Sequence, residues 1–270
     1  TIKNNRIENG YVGFAEPSGY IVSVNSEDII ESNIIINTSM GYCWVCAAIS
    51  ILDGSNCIIR NNLIAQAYGD GYGAVVASES QYVSNNNTFV SNSVGYANLS
   101  SDGTVSNDII FGTSNPVYVD ENSSIEVTYS DIEGGWAGEG NIDADPLFVS
   151  PDNSDYHLQS DSPCIDAGSS LVIINLDSLM LPGEMWISDT IVNVTPAYYS
   201  GNAPDMGVYE SIFIGPYSGP VWHVATTGSN SLGDGTEENP FSSIQRGIDY
   251  ATTEYVTGAA GAIGYVVRTA

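Results

Sequence analysis

Apolar and polar residues alternate along the first half of the chain in a frame that recurs several times. In this frame an isoleucine is followed three positions later by asparagine and five positions later by a second isoleucine, with copies starting at Ile2, Ile30 and Ile59. Counting looser copies, the asparagine position is held by Asn5, Asn33, Asn62, Asn87, Asp108 and Ser130, with steps of 33−5=28, 62−33=29, 87−62=25, 108−87=21 and 130−108=22. A period of this length predicts a solenoid, and β-branched residues in alternation predict strands rather than helices.

The asparagine of each copy falls where the strand must bend. Asparagine tolerates left-handed backbone angles, and its amide can bond to the amide of the same residue in the next coil. We therefore predict one column of side chains that keeps the coils in register: Asn5, Asn33, Asn62 and Asn87. Asn98 falls off this column, and its replacement is expected to cost far less stability than replacement of Asn33.

A column of charged residues follows from the same alignment. Lys3, Glu31 and Arg60 occupy one position of the frame in three successive copies. Neighbouring strands lie about 4.8 Å apart, so these side chains are predicted to form a Lys–Glu–Arg ladder on one face. The role is structural, and each exposed pair contributes about 1 kcal/mol.

Three parts of the chain resemble known sequences. The Asn/Ile coils resemble the parallel β-helix repeats of the pectate-lyase-like superfamily. Residues 155–168, with 145–148 before them and 204–210 after them, resemble the closing segment of secreted bacterial β-helix proteins, and residues 222–245 resemble the opening segment. The resemblance implies an all-β, right-handed parallel β-helix of about six coils. It does not specify a function, because this superfamily mixes lyases, hydrolases and non-enzymatic surface proteins.

Four regions are expected along the chain. Residues 1–170 hold the coils and most of the closing segment, and residues 171–210 hold an insertion followed by the end of the closing segment. The insertion, with Met180, Met185 and Trp186, is expected to cap an open end of the solenoid, or else to offer a partner surface. Residues 211–221 are a predicted linker, and the cap-like segment 222–270 includes one short amphipathic helix at 240–252.

The composition excludes some partners. With 5 Lys+Arg against 32 Asp+Glu, the formal charge is −27, which repels nucleic acid and anionic membranes. It also repels acidic polysaccharides unless cations bridge the two surfaces. No run of residues is long and apolar enough to span a membrane.

The four cysteines are Cys43, Cys46, Cys57 and Cys164. Cys43 and Cys46 form a CxxC sequence, but nothing near them predicts the helix that a redox motif needs. On a strand, residues three apart face opposite sides, so this pair is not expected to bond easily. We expect small buried core residues, with at most one bridge.

Basic, acidic and histidine residues of the chain are the candidates for chemistry. Lyases of the superfamily that the chain resembles need a Lys or Arg base near carboxylate-bound Ca²⁺, and the ladder already uses two of the five basic residues. Acidic residues in loops could converge as in hydrolases, although no motif of the pectin hydrolases is present: Asp53, Asp70, Glu79 and Asp102. His157 and His223 lie within fold signatures and are expected to be packing residues.

A calcium site is predicted in the acidic loop 228–239, with Asp234, Glu237 and Glu238 as ligands, because Ca²⁺ prefers oxygen ligands. The alternative is an ordinary turn-rich loop.

Two classes of function remain. The first is a non-enzymatic extracellular structural or adhesive protein, and the alternative is a carbohydrate-active enzyme, lyase or hydrolase, acting on an extracellular polysaccharide. The scarcity of basic residues on the coils favours the first.

The order of the parts suggests self-assembly. The opening-type segment follows the closing segment, and the chain stops at what looks like the first strand of another solenoid. We expect head-to-tail filaments in which this last strand pairs with the first coil of a neighbour by strand addition. The residues concerned are Ile263, Tyr265, Val266 and Val267 on one side and Ile2 and Ile7 on the other. The alternatives are a fragment of a longer array and a chain that caps itself.

Overall fold

The chain forms two compact units, Thr1–Ser211 and Ile212–Ala270. The structure is a computed structural model. It describes residues 1–13, 18–41, 45–69, 72–174, 179–180, 186–187, 190–193, 199, 201–211, 222–236, 238–243, 245–246 and 267–269.

The first unit is built from short strands that stack into three parallel sheets. Sheet 1 consists of β1 (Ile2–Lys3), β5 (Ile29–Glu31), β8 (Asn56–Arg60), β11 (Gln81–Asn85), β14 (Asp102–Ser106) and β17 (Ser124–Thr128). Sheet 2 consists of β2 (Arg6–Glu8), β3 (Tyr11–Val12), β6 (Ile34–Met40), β9 (Leu63–Gly69), β12 (Thr88–Val90), β15 (Ile109–Phe111) and β18 (Asp131–Ile132). Sheet 3 consists of β4 (Ser18–Val24), β7 (Cys46–Leu52), β10 (Val75–Ser78), β13 (Val94–Leu99) and β16 (Asn115–Val119).

Successive strands of each sheet belong to successive turns of the chain, so the sheets are the three faces of a parallel β-helix of about five turns. β17 and β18 begin a further turn, to which sheet 3 adds no strand among the described residues. The predicted all-β parallel solenoid is therefore confirmed, with about one coil fewer than the six expected.

The interior is formed by the residues that alternate inward. In sheet 1, Ile2 is in register with Ile30, and Ile30 with Ile59, as the frame requires. Ile30 and Ile59 have no exposed surface and belong to one continuous core that includes residues of all three sheets. The apolar positions of the repeated frame thus stack on one another from coil to coil.

Each passage from sheet 1 to sheet 2 is a turn of two residues. The first residue of each turn has a positive φ: Asn4, Ser32, Asn61, Asn86, Asn107 and Tyr129. The second is the residue at the asparagine position of the frame. Asparagine, which tolerates this left-handed conformation, fills four of these six sites.

The closing segment lies along the outer face of sheet 2. It contains β19 (Phe148–Ser150), the short 3₁₀ helix η1 (Pro151–Asn153) and β20 (Asp155–Leu158), which pairs antiparallel with β19. Its apolar side chains pack on the outward residues of sheet 2 in one buried cluster of Ile36, Leu63, Ala65, Val90, Ile109, Phe148, Tyr156, Leu158, Cys164 and Met206. Where the closing segment covers it, sheet 2 is buried on both faces, which explains why all three side chains of β12 are buried.

The insertion forms two antiparallel strand pairs. β21 (Leu171–Ile174) pairs with β24 (Thr190–Asn193), and β22 (Leu179–Met180) pairs with β23 (Trp186–Ile187). β21 lies beside β14 of sheet 1. Met185, which the sequence placed in a Met/Trp cluster, is outside the described residues.

In the second unit, β25 (Trp222–Val224) pairs in parallel with β26 (Val267–Thr269), and Val224 bridges to Phe241. Of the helix predicted at 240–252, the structure describes helical residues only at Gln245–Arg246. Most of the predicted linker 211–221 is also outside the described residues. Within the part of the chain that the structure describes, no helix is long and apolar enough to cross a membrane.

Candidate functional site

The turns between sheets 1 and 2 carry a ladder of side chains that runs along the coils. Asn33 donates its backbone N–H and its side-chain amide to Oδ1 of Asn62, each at 3.0 Å. Asn5 makes the same two bonds to Asn33, at 3.1 and 2.9 Å, and Asn62 makes them to Asn87, at 2.8 and 3.0 Å. The structure thus brings together the four asparagines of the predicted column.

The ladder continues past the asparagines. Asn87 donates its backbone N–H to Asp108 Oδ1 at 2.7 Å, and the backbone N–H of Asp108 reaches Ser130 Oγ at 3.1 Å. Ser130 in turn donates its backbone N–H to Asn141 Oδ1 at 3.0 Å. The amide of Asn141 donates to the carbonyls of Val127 and Trp136, which satisfies the last rung.

Sequence analysis missed a second ladder, built from serines at the turns between sheets 3 and 1. The backbone N–H of each serine donates to the hydroxyl oxygen of the next at 2.9–3.2 Å, in the order Ser26, Ser55, Ser80, Ser101 and Ser123. The steps are 55−26=29, 80−55=25, 101−80=21 and 123−101=22, the same series as the corresponding steps of the first ladder. A search for a second residue type that repeats with these steps would have found it.

The charged ladder lies on the outer face of sheet 1. Glu31 Oε2 accepts from Arg60 Nε at 2.8 Å and from Arg60 Nη2 at 2.6 Å, and Lys3 Nζ is 3.8 Å from Glu31 Oε1. The third basic residue of the coils, Arg6, is paired with Glu8. Each cation of the coils therefore already has a carboxylate partner.

Asp108 lies in the interior rather than at the surface. Its Oδ2 contacts the hydroxyls of Ser84 and Tyr96, which also contact each other. Burial raises the pKa of Asp108 to about 7, partly offset by the hydrogen bonds from Asn87, Tyr96 and Ser84. Tyr82 stacks on Tyr96 with ring centroids 5.5 Å apart.

Asn98 lies off the asparagine column but is fully buried. It accepts the Tyr82 hydroxyl at 2.8 Å and donates to the Ser124 carbonyl at 2.8 Å. The expectation that Asn98 matters little is therefore wrong, because its replacement would leave both partners unpaired inside the protein.

Three of the four acidic loop residues lie in the described part of the chain, and they are not grouped as metal ligands. Asp53 and Glu79 are exposed in neighbouring coils, and Asp102 is exposed at the start of β14. Asp70 is outside the described residues. Among the residues that are described, no three His, Cys, Asp or Glu side chains are grouped so that they could hold a metal ion.

His157 is largely exposed, and one face of its ring packs on Tyr209. Asp155 and His157 lie two apart on β20 and so face the same side of the strand. His157 Nδ1 is 2.7 Å from Asp155 Oδ1, and the imidazole stacks on Tyr209 at 4.0 Å between centroids. The hydrogen bonds from His157 lower the pKa of Asp155. The other ring nitrogen of His157, Nε2, lies on the opposite edge of the imidazole from the bond to Asp155.

A buried acid joins the coils to the closing segment. Asp131 Oδ2 accepts from the Cys164 thiol at 3.2 Å, and its Oδ1 accepts from the Ala144 N–H at 3.1 Å. Burial raises the pKa of Asp131 to about 6 and also raises the pKa of Cys164.

The cysteines are mainly small buried residues, as expected. Cys57 and Cys164 are free and buried, whereas Cys46 is disulfide-bonded. Cys43, the other half of the CxxC sequence, is outside the described residues.

The predicted calcium loop is described only in part. Asp234 Oδ1 accepts from the N–H and the hydroxyl of Thr236, at 3.0 and 2.7 Å, which closes a local turn and lowers the pKa of Asp234. Glu238 is exposed, and Glu237 is outside the described residues. Calcium binding here stays a prediction.

The predicted assembly residues lie in both units. Ile2 and Ile7 belong to the first described coil and pack, partly buried, against the interior. Val267 lies in β26, in register with Trp222. Ile263, Tyr265 and Val266 are outside the described residues.

Comparison with known proteins supports the fold. Residues 1–110 match the family described as "Right handed beta helix region". Together with the three parallel sheets, this match confirms the predicted parallel β-helix. A search of curated proteins finds no match. Among solved structures, the chain is similar to the crystal structure of pectate lyase Pel9A, with 14% identity and a TM-score of 0.33, over 77% of this chain and 66% of that chain. Similarity at this level says nothing about activity.

Proposed function

We propose that this chain is an extracellular, non-enzymatic β-helix scaffold. The observation that carries the proposal is the pairing of the coil cations: Lys3 and Arg60 both bind Glu31, and Arg6 binds Glu8. Removal of a sugar proton by a lyase needs a free base close to a carboxylate-bound cation. On these coils the basic side chains join neighbouring strands or neighbouring residues instead.

Two further observations support an extracellular location. The disulfide at Cys46 is typical of proteins that fold in an oxidising compartment. The sequence of the closing segment resembles that of secreted bacterial β-helix proteins.

The experiment is prolonged incubation of the full chain with a panel of neutral and acidic polysaccharides, with and without Ca²⁺. We expect neither new reducing ends nor unsaturated products that absorb in the near ultraviolet. Release of either product from any polysaccharide would refute the scaffold proposal.

One observation favours the second candidate function, a carbohydrate-active enzyme. Asp155 and His157 form an exposed acid–base pair, and the side chain of His157 is 61% accessible. If cleavage occurs, His157→Ala tests this pair against the exposed control Asp152→Asn. Loss of cleavage in His157→Ala alone would assign the activity to the pair, and equal cleavage in both variants would exclude the pair.

As a scaffold, the protein is further proposed to assemble head to tail. Each coil binds the next through parallel strands in register and through the side-chain ladders. A strand from another copy can pair with the first described coil in the same parallel arrangement. The second unit also forms a parallel strand pair, β25 with β26. Light scattering over a concentration series tests this proposal. The full chain should form polymers and a chain ending at Ser211 should not; a full chain that stays monomeric at high concentration would refute it.

A further inference from the structure

The residues around Asp108 form a closed set of hydrogen bonds. Three oxygens are in mutual contact: Asp108 Oδ2, the Ser84 hydroxyl and the Tyr96 hydroxyl. All three residues are fully buried. The other carboxyl oxygen, Oδ1, is already occupied as a rung of the ladder by the backbone N–H and the amide of Asn87, at 2.7 and 3.3 Å.

Counting protons defines the state of the carboxyl group. Three oxygen–oxygen contacts need three protons, and the two hydroxyls supply only two. A neutral Asp108 supplies the third: the acid donates to Tyr96, Tyr96 donates to Ser84, and Ser84 donates back to Asp108. If Asp108 were ionised, only two protons would remain for the three contacts, and one pair of oxygens would face each other without a proton.

We propose that Asp108 is kept as a neutral acid in the interior and acts as a pH-sensitive element of the β-helix. Its ionisation leaves one of the three oxygen–oxygen contacts without a proton and places a charge without a cation partner between the fourth and fifth coils. The contribution of the neutral acid to stability is therefore present at acid pH and absent at alkaline pH.

The surroundings contain no group that would compensate the charge. β11 contributes Tyr82 and Ser84, β13 contributes Tyr96 and Asn98, and the ladder contributes Asn87 and Ser130. Of these, only the two tyrosines titrate, and burial raises the pKa of both, so they stay neutral. The described groups that form hydrogen bonds with Asp108 include no Lys, Arg or His.

The direction of the effect follows from linkage. An aspartate in the unfolded chain has a pKa of about 3.9, whereas the folded pKa of Asp108 is raised to about 7. Between these values the folded state holds one more proton than the unfolded state. Stability is therefore greatest below the unfolded pKa and falls as pH rises, until Asp108 is ionised in the folded state as well.

The test compares the full chain with Asp108→Asn in urea unfolding between pH 4 and pH 9. Asparagine keeps Oδ1 for Asn87 and supplies two N–H donors for Ser84 and Tyr96, so the variant should fold. Between about pH 4 and pH 7, the logarithm of the folding constant should fall by about one unit more per pH unit in the wild type than in Asp108→Asn, and above about pH 7 the two slopes should agree. The matched control is Asp102→Asn, an exposed acid in the fifth coil, which should keep the wild-type slope.

A second measurement does not depend on the stability of the variant. At pH 6, infrared spectra of the folded wild type should show the carbonyl stretch of a protonated carboxylic acid. The intensity of this band should be lower in Asp108→Asn. Tyr96→Phe removes a donor to the carboxylate and should move the inflection of the wild-type stability profile to higher pH. Equal slopes in the wild type and Asp108→Asn between about pH 4 and pH 7 would overturn the proposal. If Asp108→Asn does not fold, the Tyr96→Phe variant decides instead. An inflection of its stability profile at the same pH as in the wild type, or at a lower pH, would overturn the proposal.

Discussion

Asn33 directs two donors, its backbone N–H and its side-chain amide, at one oxygen atom, Oδ1 of Asn62. The oxygen of Asn33 receives the same two donors from Asn5. One side chain therefore satisfies backbone and side-chain groups in three consecutive coils. Loss of the Asn33 side chain therefore leaves the two donors of Asn5 without their acceptor and removes one donor from Asn62 Oδ1.

Replacing Asn33 with leucine should lower the free energy of unfolding by about 1–3 kcal/mol, because both donors of Asn5 lose their acceptor. The measurement is urea unfolding of the purified variant. Asn122→Leu, at an exposed turn position, is the control and should change stability by less than about 0.5 kcal/mol. Equal losses in the two variants would show that the ladder has no special role.

The serine ladder gives a parallel prediction. Ser55→Ala removes the acceptor of the Ser26 N–H and the donor to the Leu52 carbonyl, so it should cost about 1–2 kcal/mol. Ser124→Ala, at an exposed position, should be nearly neutral. Thermal unfolding of both variants under identical conditions distinguishes them, and no difference in melting temperature would contradict the prediction.

Gly207 holds the closing segment close to sheet 2. Its φ is +93°, and a Cβ atom there would lie 2.7 Å from Thr88 Oγ1 and from Ile109 Cδ1. Gly134 has a similar φ of +84° but open space around it. Gly207→Ala should therefore destabilise the protein more than Gly134→Ala, which has only the backbone cost of about 1–2 kcal/mol. If the two variants unfold at the same urea concentration, the closing segment is not packed as described.

The stability of the junction between the coils and the closing segment should depend on pH through the buried carboxyl group of Asp131. Burial raises its pKa to about 6, above the usual value, so its contribution to stability is full at low pH and is lost as pH rises through about 6. Asp131→Asn should flatten the stability profile between about pH 4 and pH 6, whereas the exposed control Asp152→Asn should not. An unchanged profile in Asp131→Asn would mean that this carboxyl ionises normally.

Much of the fold follows from a short repeated frame in the sequence and could therefore be predicted. The frame at Ile2, Ile30 and Ile59 repeats one strand and one turn, so aligning the copies also aligns the coils. The positions of Asn33 and Glu31 in their columns follow directly from that alignment. The serine ladder was equally predictable, since Ser55 and Ser80 repeat with the same steps.

The remaining features depend on contacts between distant parts of the chain. The N–H of Val208 reaches the Thr88 hydroxyl at 2.9 Å, across 120 positions, and nothing in the repeat indicates that the closing segment lies along sheet 2. Likewise, Ser84, Tyr96 and Asp108 lie in three different segments of the chain, and only the closed coils bring their oxygens together. Asn98 was misjudged for the same reason, because its burial depends on Tyr82 in another strand.

We propose that Lys3, Glu31 and Arg60 join neighbouring coils and take no part in chemistry. A double-mutant cycle on Glu31 and Arg60 tests it most directly, using the unfolding free energies of the wild type, Glu31→Gln, Arg60→Met and the double variant. The two side chains are partly exposed, at 18% and 43%, so solvent screening limits the pair. The account predicts a favourable coupling energy of about 0.5–1 kcal/mol. A coupling energy of zero would leave Arg60 free for another role and would contradict the account.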